Sequence, residues 1–118
     1  MTFEARQNVR YKMKDGILAA LHVPGTLKVI IGQMVDISEN GLALRHKDKI
    51  GTVLGKAELV MMGHEQPDYP VFEFPARLVY EKDIGGAFRS GFQFGDLSQS
   101  QTYQLASFIE SNIESIAV

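Results

Sequence analysis

A chain of 118 residues, 45% hydrophobic and 22% charged, can bury one core without staples, and residues 1–118 are read as a single domain. It has no cysteine, which excludes disulfides and thiolate metal sites. No apolar run approaches the roughly 18 residues of a membrane span and no secretory h-region opens the chain, so a cytoplasmic monomer without membrane insertion is expected.

The net charge of −2 is unevenly divided. Residues 1–14 carry Arg6, Arg10, Lys12 and Lys14 against Glu4, a local +3, which leaves −5 for the rest. An acidic body with a short basic head argues against DNA or RNA as partner, because those need an extended positive surface. It permits either a small anion held at one place or a merely solvated tail.

Strands separated by turn signals are expected through the middle of the chain. Residues 17–23, "ILAALHV", end at Pro24–Gly25, and "LKVIIGQMVDI" at 27–37 follows, with Gly32 a candidate bulge. After Asn40–Gly41 come "LALRH", a polar loop containing Gly51, and "TVLGKAELVMM" at 52–62. In 71–81 the alternation puts Phe72, Phe74, Ala76, Leu78 and Tyr80 on one face, with Pro75 marking an edge or bulge. Asp83–Ile84–Gly85–Gly86 reads as a turn, after which Phe88, Phe92 and Phe94 are in phase. The period then lengthens: Leu105, Phe108, Ile109, Asn112, Ile113 and Ile116 form one helical stripe, predicting a helix over 98–116. Ser98 and Gln101 fit a capping box at its start. The fold class expected is mainly β, an antiparallel barrel of about six strands with a C-terminal α-helix over an opening or an edge.

Signatures of catalysis are missing from the sequence. His22, His46 and His64 lack metal-ligand spacing, and there is no nucleophile elbow, P-loop or dinucleotide fingerprint. Neither an enzyme nor a cofactor is expected. Two patterns remain. Arg6 and Arg10 place two guanidinium groups four residues apart. In Val35–Asp36–Ile37–Ser38, strand geometry turns Val35 and Ile37 to the core and sets Asp36 and Ser38 outward together, about 6.7 Å apart. Asn40–Gly41 tolerates positive φ, and Gly41 has no side chain to obstruct a ligand. Arginine forks suit phosphate or the guanine O6/N7 edge, a carboxylate can accept from guanine N1–H and N2–H₂, and a hydroxyl can donate to phosphate. The same residues could also serve the fold, with Asp36 paired to Arg6 or Arg10 and Ser38 and Asn40 shaping the turn.

These motifs, R-x-x-x-R at 6–10 ("RQNVR") and D-x-S-x-x-G at 36–41 ("DISENG"), resemble those of the PilZ domain, a bacterial receptor for the second messenger cyclic di-GMP. The stretch from Phe74 to Ile109 resembles that family's closing hairpin, its Gly-x-x-Phe strand and the following helix. The resemblance implies a cyclic di-GMP receptor in which Arg6 and Arg10 hold phosphates and a guanine, Asp36 reads a guanine edge, Ser38 lies near phosphate and Gly41 admits the ligand. Where many members have Gly-Gly, this chain has Asn40–Gly41. Residues 1–10 would be a mobile arm that orders over the ligand and so presents a surface to an effector protein. A ligand-independent interaction module and a small enzyme of nucleotide turnover are the rival expectations.

Overall fold

In a computed structural model, residues 9–22, 27–51, 57–62 and 71–117 are described. Eight strands and one helix follow in order: β1 (Arg10–Met13), β2 (Leu18–His22), β3 (Val29–Ile37), β4 (Gly41–His46), β5 (Ala57–Met62), β6 (Val71–Asp83), β7 (Phe88–Phe94), α1 (Gln99–Asn112) and β8 (Ile113–Ala117). They form one antiparallel sheet in the order β2-β5-β6-β7-β4-β3-β1-β8. Because β2 also pairs with β3, from Leu18↔Gln33 to His22↔Val29, six strands bend into a barrel-like ring. The strands β1 and β8 continue outward from the far end of β3, where Tyr11 meets Ile37 and Lys12 meets Asp36.

The expected β-barrel with a helix is therefore present, and local chemistry accounts for its corners. Gly85 and Gly86 have φ of 83° and 80°, the pair of positive values that a tight hairpin turn needs. The Ile84 N–H donates to the Ala87 carbonyl and the Gly85 N–H to Asp83 Oδ1. At the start of α1 the capping box is complete: Ser98 Oγ accepts from the Gln101 N–H at 3.0 Å, and Gln101 Oε1 accepts from the Ser98 N–H at 2.9 Å. Leu105, Phe108 and Ile109 then join Phe74, Ile37, Leu42 and Phe92 in one core.

Two expectations need correction. The helix ends at Asn112 rather than 116, and the last residues pair as β8 with β1. Ile113 and Ile116 fit a helical stripe, but their β-branched side chains suit a strand equally, and β1 offers an unpaired edge. Gly32 is not a bulge: it pairs in register with Ala19, and a Cβ there would sit 3.1 Å from the Arg45 carbonyl, so close strand approach is what it permits. Within the six-stranded ring the bulges lie at Val35, between the pairs Met34↔Leu44 and Asp36↔Ala43, and at Val79, between Leu78↔Phe92 and Tyr80↔Gly91.

Candidate functional site

Both bulges re-aim a side chain, which is what an extra strand residue does. Met34 and Ile37 are both buried although three residues apart, which simple alternation forbids. Val35 absorbs the slip and is only half-buried, so the expectation that it anchors the core is replaced by Met34 in that role. Asp36 is thereby delivered to the outer face of the wall. At the second bulge Val79 absorbs the slip and Tyr80, expected in line with Phe72 and Phe74, turns outward instead.

Asp36, Ala43, Gly91 and Tyr80 then stand in one cross-strand row over β3, β4, β7 and β6. Ala43 and Gly91 are the small members, so the row is a shallow trough between a carboxylate and a phenol ring. The ring lies over Gly91 so closely that a Cβ there would collide with it. Arg10 Nη1 reaches Asp36 Oδ1 at 2.9 Å, and Arg89 Nη2 reaches Asp36 Oδ2 at 3.3 Å. The carboxylate is 10% exposed, whereas Arg10 and Arg89 remain 45% and 42% exposed. Two guanidinium groups against one buried carboxylate leave an excess positive charge on an accessible surface.

Beside this cluster is a cleft of about 300 Å³, lined by Arg10, Ser38, Asn40 and Gly41 on one side and by Val79, Tyr80 and Gln93 on the other. Ser38 is buried, not displayed on the surface as expected. Its Oγ accepts from the Asn40 N–H at 3.2 Å and its N–H donates to the Gly41 carbonyl at 2.8 Å, so it shapes the turn as well as lining the cleft. Gly41 has an additional reason to be glycine. A Cβ there would run into the Phe92 carbonyl, and Gly41 is not among the glycines with positive φ.

Of the site residues expected from sequence, Arg10, Asp36, Ser38 and Gly41 are brought together; Arg6 lies outside the described residues. Arg10 is the first residue of β1, paired with Ala117, rather than the end of an arm. Arg89, Val79 and Tyr80 were not expected. For Arg89 a signal existed: if Phe88, Phe92 and Phe94 share one face, Arg89 must lie on the other. No group of three or more His, Asp or Glu among the described residues is placed to hold a metal. None of the described helices is long and apolar enough to cross a membrane.

The barrel, its C-terminal helix and a cleft beside the arginine–carboxylate cluster define a small β-domain with a candidate binding site. The model of the PilZ domain matches residues 4–111, and the chain belongs to that family. Solved structures share the fold. The PilZ domain of YcgR from Escherichia coli, determined with c-di-GMP, is 17% identical with a TM-score of 0.66, over 92% of this chain and 91% of that one. Borreliella burgdorferi PlzA in complex with c-di-GMP is 10% identical with a TM-score of 0.58, covering 89% of this chain and 51% of PlzA. The Bacillus subtilis inhibitor of motility MotI (DgrA) is 14% identical with a TM-score of 0.66, covering 92% of this chain. The chain spans about half the length of MotI (51%) and of PlzA. None of the curated protein sequences matches it.

Proposed function

We propose that the protein is a cyclic di-GMP receptor rather than an enzyme, and that it needs no cofactor. The observation that carries this reading is that Arg10, Ser38 and Gly41, from two separated sequence motifs, line one cleft, with Asp36 beside it and paired to Arg10. The ligand is a dianion, and the cluster has the excess cationic charge to attract it. Arg10, with Arg6 from the preceding residues, would hold phosphate or the guanine O6/N7 edge. Each Asp36 oxygen already accepts from an arginine, and each retains a further lone-pair site for guanine N1–H and N2–H₂. The exposed ring of Tyr80 offers a base a surface to stack on. Binding would settle the N-terminal arginine segment over the ligand, and the composite surface would signal to an effector protein. Membership of the PilZ family and the c-di-GMP complexes of YcgR and PlzA support this reading.

Isothermal titration with cyclic di-GMP tests it directly. Saturable heat is expected, abolished in Arg6→Ala and Arg10→Ala while the circular dichroism spectrum is retained. No heat at roughly tens of micromolar would overturn the proposal and favour the ligand-independent interaction module. Asp36→Ala separates the two uses of the carboxylate. Unchanged affinity would mean that Asp36 serves only the internal ion pairs to Arg10 and Arg89.

A further inference from the structure

The same barrel wall carries a second surface that nucleotide binding does not use. Val29 and Ile31 point outward from β3, 54% and 58% exposed, and the segment following β4 runs alongside them. Lys28 fastens that segment: its ammonium donates to the carbonyls of Lys49 at 3.0 Å and Ile50 at 3.2 Å. A groove of about 380 Å³ lies between Ile31, Arg45, Lys47 and the β6–β7 turn at Gly86 and Ala87. Arg45, Lys47 and Lys49 are exposed, and none has an ion-pair partner among the described residues. Asp48 is the one carboxylate in this stretch, so residues 45–49 carry +2 with His46 neutral, in a chain of net charge −2.

A single exposed valine or isoleucine needs no explanation. Two on one strand beside a groove walled by cations that have no ion-pair partner among the described residues have the make-up of an interface, with an apolar centre and a charged rim. The exposed Val29 and Ile31 offer nothing to a phosphate backbone, and the charge selects an acidic partner. We propose that this groove docks an acidic, amphipathic segment of a partner protein. Its apolar side chains would cover Val29 and Ile31 while its carboxylates meet Arg45, Lys47 and Lys49. Val29 and Ile31 are about 6.7 Å apart along the strand, close to the roughly 6 Å rise between residues i and i+4 of a helix.

The test uses the whole chain, isotope-labelled for NMR, with two synthetic amphipathic helical peptides, one of leucine and glutamate and one of leucine and lysine. The acidic peptide is expected to shift the amides of residues 29–33 and 45–49. Ile31→Ser and Lys47→Glu should each weaken it by about tenfold; both sites are exposed, so the fold tolerates them. Equal binding of the lysine peptide, shifts confined to another surface, or concentration-dependent shifts without peptide would each overturn the proposal. Cyclic di-GMP titrations on the same variants report separately on the nucleotide reading, and their failure would leave the peptide result standing.

Discussion

Two polar clusters meet on β7, one reaching β4 and β6 and the other β1 and β3, and they differ in how their hydrogen-bonding capacity is spent. On the inside of the sheet, His46 Nδ1 donates to the Asp48 carbonyl at 2.7 Å, and its Nε2 shares a hydrogen bond with Ser90 Oγ at 2.7 Å. Glu81 closes this group: Oε2 accepts from the Ile50 N–H at 2.6 Å and Oε1 from the Gly51 N–H at 3.1 Å. Both ring nitrogens and both carboxylate oxygens are thus committed to the chain itself. On the outside, Arg10 and Arg89 each commit one nitrogen to Asp36 and keep nearly half their surface open. A closed cluster pins a loop; an open one can take a ligand. Buried ionisable groups alone do not identify a binding site, and unused donors on an accessible face are the better guide.

The sharpest way to break this contrast is Arg10→Ala. Cyclic di-GMP affinity should fall by about 100-fold or more, a loss of roughly 3 kcal/mol in calorimetry, as expected for truncating a charged hydrogen-bonding partner. Stability should fall by less, about 1 kcal/mol, because Arg89 still faces the carboxylate. Glu81→Ala is the complementary case. It should cost about 2 kcal/mol in urea unfolding by stripping two amides of their acceptor, with ligand affinity unchanged. Equal damage to binding would join the two clusters into one functional unit. Gly41→Ala bears on both regions, since its Cβ must displace the β7 backbone at Phe92; a loss of about 1–3 kcal/mol is expected, with weakened binding. The smallest effect should come from Ser98→Ala, remote from both clusters. It should cost about 1 kcal/mol of helix capping, read as a lower Tm, and leave the titration untouched.

Much of the candidate site was legible in sequence, because R-x-x-x-R and D-x-S-x-x-G carry their chemistry in short spacings. What those spacings could not supply was phase. Asp36 was expected on the open surface, but it is buried beneath Arg10 and Arg89: alternation was continued through Val35, where the strand slips. The same assumption put Tyr80 on the face of Phe72 and Phe74. A bulge is decided by which partner residues pair across the sheet, and nothing local in "MVDI" or "RLVY" announces the extra residue. Arg89 enters the site only when β3, β4 and β7 are laid side by side, 53 positions from Asp36.

By itself the sequence determined the elements governed by short-range physics. The Gly85–Gly86 turn follows from backbone freedom, the start of α1 from its capping box, and the β class from period-two runs. Tertiary structure decided the rest. It set the phase of β3 and β6, gave Gly41 its tight packing role, and turned the last residues into β8 instead of a final helical turn. The physical reason is common to all three: each is settled by the energy of a contact with a distant strand, against local alternatives that differ little in free energy.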